Sequence, residues 1–206
     1  MTRLKQTRIL AGAVATVAAL GACTSTKAGD PSPSPTGTRS VTSTTTSPTT
    51  TPSASPEEVA VAAATEKVPA YFAVSDKSLQ DTKAFDREEF KTVAITTALD
   101  DLRNLFSAFQ TQNYKQVGST AVESMTNPRV SLKLDLKKTP PDVPTVQMDV
   151  CIDVSKLNVV DSTGKSVVPA TRKPRQLWRI GVTNYQYPTA SAWRVAFTDT
   201  QGGKTC

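Results

Sequence analysis

The sequence contains no histidine, and it has three cysteines: Cys23, Cys151 and Cys206. Without an imidazole, the chain cannot form a Ser-His-Asp or Cys-His catalytic unit, a histidine-bearing zinc site or an imidazole acid or base. The sequence also lacks a glycine-rich phosphate loop, a Cys-x-x-Cys pair and a cluster of residues with metal-ligand spacing. We therefore expect no cofactor, no metal site and no catalytic residue.

A strong excess of charge is missing as well. Of 24 basic residues, Arg3, Lys5 and Arg8 lie in a segment that we expect to be removed, which leaves 21 basic against 18 acidic residues, or +3. This small excess gives no indication of nucleic-acid binding. One denser basic cluster predicts either a contact with phosphate or anionic lipid, or a solvated loop that leads into a strand. The cluster consists of Arg172, Lys173, Arg175 and Arg179.

The longest apolar run near the start, from Ile9 to Leu20, has 12 residues. A membrane-spanning helix needs about 20 apolar residues, so this run and the basic residues before it are typical of a signal-peptide core. Leu20-Gly21-Ala22-Cys23 follows directly and resembles the bacterial lipobox. The resemblance implies a signal peptide over residues 1–22 and an acylated Cys23 that anchors the chain to the extracytoplasmic face of the cell membrane. The alternative is an ordinary signal peptide whose cleavage site happens to precede a cysteine.

Residues 24 to 56 contain little that could form a core. Serine, threonine and proline make up 25 of these 33 residues, and Val41 is their only sizeable apolar side chain. Such a stretch cannot bury enough apolar surface to offset the entropy of ordering its backbone. We therefore predict that the lipidated cysteine and the segment behind it, residues 23–56, form a disordered tether.

The cysteine count bears on the remaining part, residues 57–206. If Cys23 carries lipid, Cys151 and Cys206 form an even pair outside the membrane, where disulfides persist. Cys151 alternates with the apolar residues of its predicted strand and should point away from the core. We expect the tail to fold back over that polar face and bring Cys206 to it. The alternative is two unpaired thiols, one of them a nucleophile.

The pattern changes from helical to strand periodicity along residues 57–206. Ser55, Pro56 and Glu58 predict a helix start with a capping box, and the helix should run toward Phe72 with an interruption at Pro69. Asp86 predicts a second start. After it, apolar residues recur at helical spacing and predict one long helix: Ile95, Leu99, Leu102, Leu105, Phe106 and Phe109.

From Tyr114 onward, apolar and polar residues alternate. Strands are predicted over 130–136 and 146–152, a hairpin over 159–168, and two further strands around Trp178 to Val182 and Trp193 to Phe197. The predicted fold class is α+β, with N-terminal helices packed on a curved antiparallel sheet. The aromatic residues on the predicted apolar faces line a ligand cavity or fill the core: Tyr71, Phe72, Phe106, Phe109, Trp178, Trp193 and Phe197.

Several short motifs resemble those of actinobacterial or actinophage lipoproteins and secreted proteins of unknown function. They are Cys151-Ile-Asp-Val-Ser155, Gly164-Lys-Ser-Val-Val-Pro169, Trp193-Arg-Val and Gly203-Lys-Thr-Cys206. Those proteins are similar in layout to the nuclear transport factor two-like cone fold, in which helices and a curved sheet enclose a pocket. The resemblance implies a cone-like domain at a bacterial surface, and it implies no reaction.

These observations favour a membrane-anchored surface lipoprotein with a non-catalytic domain that binds an envelope protein or a small apolar ligand. An enzyme alternative is a small cone-fold isomerase or lyase with an aspartate base, for which Asp100, Asp101 and Glu123 are the candidates. The aspartate pair lies on the polar side of its predicted helix, which favours a solvated surface. A third alternative is a phage-encoded lipoprotein that excludes superinfecting phage.

Overall fold

A computed structural model describes residues 53–206. The predicted signal peptide, Cys23 and most of the predicted tether lie outside the described residues. The described part is α+β, with helices followed by a curved antiparallel sheet, which confirms the predicted fold class. The helices are α1 (Pro56–Thr65), α2 (Lys67–Gln80), α3 (Phe90–Val93) and α4 (Thr96–Gln112), with 3-10 turns at Arg87–Glu89 and Ala190–Ala192.

The main sheet has four strands in the order β2-β3-β5-β6, and every neighbouring pair is antiparallel. A separate antiparallel pair joins β1 to β4. The strands are β1 (Lys115–Val117), β2 (Ala121–Ser131), β3 (Thr145–Asp153), β4 (Asn158–Val160), β5 (Arg175–Thr183) and β6 (Arg194–Thr200).

The core lies between the helices and one face of the main sheet. Alternate residues of β3 and β5 point into it, because successive side chains of a strand face opposite sides. Val146, Val150 and Ile180 are fully buried there, together with Val68 and Phe106 from the helices. The strand alternation predicted over 146–152 is therefore confirmed.

The first helix begins as predicted. Ser55 Oγ accepts the N–H of Glu58 at 3.2 Å, and Glu58 Oε2 accepts the N–H of Ser55 at 2.7 Å, which completes a capping box. Pro56 occupies the first helical position, where its missing N–H costs nothing.

Replacing Ser55 with alanine should lower the free energy of unfolding by about 1 kcal/mol, since a helix N–H loses its acceptor. Chemical denaturation of the full chain measures this. Ser53→Ala is the matched control, because Ser53 is exposed and precedes the cap, and its effect should stay within about 0.5 kcal/mol. Equal effects of the two changes would contradict the capping role.

The predicted interruption near Pro69 is confirmed, but it comes earlier than expected. α1 ends at Thr65 and α2 begins at Lys67. The proline ring conflicts with the carbonyl four residues before it, which is that of Thr65, so the first helix stops there. Pro69 then lies in the first turn of α2, and this helix continues past Phe72 to Gln80.

The helix predicted from the apolar spacing of Leu99 to Phe109 is confirmed as α4, but its predicted start at Asp86 is wrong. Asp86 caps a 3-10 turn, and the chain becomes extended at Ala94 before α4 begins at Thr96. The N–H of Ile95 donates to the carbonyl of Val195 at 2.9 Å. This backbone contact with β6 interrupts the helix, because a residue that pairs with a strand cannot keep helical dihedral angles.

The strand predicted over 130–136 is wrong beyond Ser131. Ser131 pairs with Thr145, the first residue of β3, so β2 has no further partner residue in that sheet. Leu134 and Leu136, which the alternation assigns to the core face, are instead 43% and 55% exposed. The alternation is present in the sequence, but Val130 and Leu132 alone pack against the core, and both are only partly buried.

Candidate functional site

A cleft of about 490 Å³ opens between α2 and β2. Its lining mixes apolar side chains with one buried carboxylate, that of Asp76. Clefts of this size and composition are typical of sites for small ligands. We call it the α2–β2 cleft, and it is lined by Pro69, Phe72, Ala73, Asp76, Lys77, Gln80, Ser119, Thr120, Val122 and Met125.

Asp76 is buried, with 6% of its surface exposed. Its Oδ1 accepts hydrogen bonds from Gln116 Nε2 at 2.7 Å and from Thr120 Oγ1 at 3.1 Å, and its Oδ2 accepts the N–H of Thr120 at 2.7 Å. Hydrogen bonds from three donors satisfy a buried carboxylate that would otherwise be costly. The carboxylate joins α2 to the connection between β1 and β2.

The connection between β1 and β2 is fixed by a close backbone contact between Gly118 and Lys156. Gly118 has a φ of +78°, and a Cβ built on it would lie 1.9 Å from the carbonyl oxygen of Lys156. A glycine is required there for both reasons. The carbonyl of Gly118 also accepts hydrogen bonds from Gln80 Nε2 at 2.8 Å and from Gln116 Nε2 at 3.2 Å. The chain is thereby positioned so that the N–H of Thr120 reaches Asp76.

A second cleft, of about 600 Å³, lies where α2 and α4 end. Most of its lining residues are polar and come from the two helix ends. Its titratable side chains are exposed or half-buried. It is lined by Leu79, Gln80, Asp81, Thr82, Lys83, Gln110, Asn113, Tyr114, Lys115 and Ser162.

The carboxylates proposed from the sequence as candidate bases lie outside both clefts. Asp100 and Asp101 are exposed on α4, as expected for a solvated helix face. Glu123 is exposed on β2 and forms an ion pair with Arg175. Sequence reasoning missed Asp76, although a carboxylate four residues after Phe72 on the apolar side of a helix is a recognisable signal.

The basic cluster is engaged in contacts within the domain. Each of its four side chains has a carbonyl or carboxylate partner, so the cluster stabilises the start of β5 and the tail. The contacts are Arg172 with the carbonyls of Val154 (2.8 Å) and Leu157, Lys173 with the carbonyl of Gly203, Arg175 with Glu123, and Arg179 Nε with Asp149 Oδ1 (3.5 Å).

A disulfide joins Cys151 to Cys206 on the sheet face that points away from the helices. The tail reaches it by a reversal at Gly202 and Gly203, which have φ angles of +54° and +73°. The N–H of Leu177 donates to the carbonyl of Lys204 at 3.2 Å. The tail covers Cys151, which is 3% exposed although it belongs to the polar side of its strand.

Most of the aromatic side chains fill the core. Phe106 and Trp193 are each 1% exposed, and Phe72 packs edge-on against Trp178 with 5.8 Å between the ring centroids. Burial raises the pKa of Tyr71 to about 12, so its phenol is neutral at physiological pH.

The placement of Phe197 on the core face is wrong. A register irregularity between Gly181 and Val182 pairs Val182 with Val195 and Gly181 with Phe197, so Ala196 is the extra residue. A Cβ on Gly181 would lie 2.0 Å from the Phe197 ring. The ring therefore covers Gly181 on the face opposite the helices.

Residues 53–206 contain neither a candidate metal centre nor a membrane-spanning helix. That part of the chain contains no group of three or more cysteine or acidic side chains arranged to hold a metal ion. None of its helices is both long enough and apolar enough to cross a membrane. The predicted lipidation site, Cys23, is not among these residues.

No protein-family model matches the chain, and no curated protein matches it. The crystal structure of the intermembrane space region of the chloroplast protein ARC6 is similar to this chain at a TM-score of 0.45 and 9% sequence identity. The similarity covers 68% of this chain and 95% of the other. At this level it supports no conclusion about function.

Proposed function

We propose that the chain is a bacterial lipoprotein whose domain, tethered through Cys23 to the extracytoplasmic face of the cell membrane, acts by binding. The proposal depends on the different roles of the three cysteines. The disulfide accounts for two of the three, and the third follows Leu20-Gly21-Ala22 in a lipobox-like motif. A disulfide is typical of an oxidising compartment, where a lipoprotein would reside.

A binding role, rather than a catalytic one, is supported by the positions and hydrogen bonds of the carboxylates. The candidate bases Asp100, Asp101 and Glu123 lie outside the clefts, and Asp76 uses both of its oxygens to hold Gln116 and Thr120 in place. The α2–β2 cleft therefore offers Phe72, Val122 and Met125 as an apolar surface, which suits a small apolar ligand or a side chain of an envelope protein.

Replacing Cys23 with serine should move the protein from the membrane fraction into the medium. Each methylene of an acyl chain contributes about 0.8 kcal/mol when buried, and two or more chains hold a protein stably on a bilayer. Fractionation of cells that express the parent and the variant measures the shift. Ser25→Ala is the matched control, because it changes a hydroxyl residue just behind the motif, and it should leave the distribution unchanged.

Mass spectrometry of the membrane-extracted protein provides the second readout. The parent should have the mass of a chain that starts at Cys23 plus its acyl groups, and a ligand bound in the α2–β2 cleft should copurify with it. A parent of unmodified mass, or a serine variant that stays in the membrane as firmly as the parent, would contradict the proposed anchor.

A further inference from the structure

The segment after β2 forms an exposed hairpin rather than a strand of the sheet. We call residues 132–144 the leucine loop. Asp135 and Asp142 pair across it, with N–H to carbonyl distances of 2.8 and 3.0 Å in the two directions. Leu134 and Leu136 are nevertheless 43% and 55% exposed. A segment that is ordered by its own hydrogen bonds therefore presents two large aliphatic side chains to the surroundings.

Lysines flank these leucines. Lys133 and Lys138 both contact Asp142, at 2.8 and 3.0 Å, and their hydrogen bonds lower the pKa of this carboxyl. Lys137 lies at the turn and is exposed. One carboxylate thus holds two of the loop's three ammonium groups. With Asp135 counted as well, the loop has a formal charge of +1, and its exposed leucines alternate with these charged residues in the sequence.

The charge of the described chain is unevenly divided. Residues 53–112, which contain α1 to α4, have ten acidic and six basic side chains, and residues 113–206 have seven acidic and thirteen basic ones. The leucine loop belongs to the basic part. An anionic surface would attract the charges of that part more strongly than those of the helical part.

We propose that the leucine loop binds the surface of an anionic phospholipid bilayer, with Leu134 and Leu136 inserted at the level of the headgroups and the neighbouring lysines in contact with phosphate. Exposed aliphatic side chains with lysines next to them in the chain suit this boundary. Protein interfaces, in contrast, depend on aromatic and arginine side chains, of which the loop has none. The inference rests on the proposed function in one respect, because the lipid anchor would keep the loop near a membrane.

Tryptophan fluorescence in vesicles tests the loop directly. The full chain, with Leu134→Trp, is reconstituted into vesicles of equal parts phosphatidylglycerol and phosphatidylcholine that carry bromine on the acyl chains. Leu105→Trp is the matched control, since Leu105 is a leucine with the same 43% exposure on the acidic helical part. The parent, which contains Trp178 and Trp193, supplies the background.

The fluorescence that Leu134→Trp adds to the parent's signal should be quenched about twofold more than the fluorescence that Leu105→Trp adds. Its emission should also shift to shorter wavelength. Adding Lys137→Glu, or using phosphatidylcholine alone, should reduce the difference. Equal quenching at the two positions would overturn the proposal. This is the result expected if the loop binds a protein partner instead of the bilayer.

Flotation of the same vesicles separates the loop from the anchor. Protein that floats without preferential quenching at position 134 contradicts the loop proposal and leaves the anchor standing. Protein that lacks acyl groups but is quenched at position 134 contradicts the anchor and supports the loop. Protein that neither floats nor shows quenching contradicts both.

Discussion

Removing the disulfide by Cys206→Ser is expected to lower the free energy of unfolding by about 4 kcal/mol. The two cysteines are 55 residues apart in sequence, so the bond restricts a long segment of the unfolded chain. In the chain-entropy account, a loop of this length accounts for most of the effect. The loss is a large fraction of the 5–15 kcal/mol, roughly, that a domain of this size has in total.

Urea denaturation of the parent and of Cys206→Ser measures the loss, and the parent under reducing conditions provides the matched comparison. The double variant Cys151→Ser/Cys206→Ser should resemble the reduced parent, which excludes an effect of a free thiol at Cys151. A loss below about 1 kcal/mol in all three samples would show that the bond does not restrict the unfolded state as the entropy account requires.

The tail should also lose local order. Without the bond, residues 201–206 keep the hydrogen bond from Gln201 to the carbonyl of Leu177 at 3.0 Å and the one from Leu177 to Lys204. Those contacts are few and lie at the surface, so amide exchange in the tail should become much faster than in β3. Cys151 would then be exposed on the polar face.

Much of the fold could be predicted because its signals are local. The capping box of Ser55 and Glu58 and the alternation along β3 each depend on residues close in sequence. The cysteine count predicted a pair, and the structure joins the same two residues. The helical periodicity of α4 is also borne out at Leu102 and Phe106.

The failures have a common cause, which is a distant partner strand. The backbone contact of Ala94 and Ile95 with Val195 separates Asp86 from the helix that it was predicted to start. The start of β3 at Thr145 decides where β2 ends, and so leaves Leu134 exposed. The extra residue at Ala196 turns Phe197 away from the core. None of these contacts has a signal in the sequence around the affected residue.

The buried carboxylate was missed for a different reason. Asp76 lies between Phe72 and Leu79 on the buried side of α2, where an ionisable residue conflicts with the apolar pattern. Its partners Gln116 and Thr120 are 40 and 44 residues further along the chain. The conflict was visible in the sequence, whereas the donors that resolve it are visible in the structure.

Asp76→Ala should lower the free energy of unfolding by about 3 kcal/mol. The change leaves the N–H of Thr120 without its acceptor and removes one of the two acceptors of the Gln116 amide, which is 3% exposed. A buried donor without a partner costs roughly 1–3 kcal/mol, and the interaction with a charged acceptor is lost as well. Denaturation of the full chain measures the change. Asp100→Ala is the control, since Asp100 is exposed on α4, and it should change stability by less than about 0.5 kcal/mol.

A double-mutant cycle distinguishes the hydrogen bonds from a general effect of the substitution. If Gln116 depends on Asp76, combining Asp76→Ala with Gln116→Leu should cost less than the sum of the single changes, with a coupling of about 1–2 kcal/mol. Additive costs would mean that the 2.7 Å contact between Gln116 Nε2 and Asp76 Oδ1 contributes little. A cost of Asp76→Ala no larger than that of Asp100→Ala would mean that the carboxylate is not a structural link between α2 and β1, and would make its position at the α2–β2 cleft a reason to test it in ligand binding.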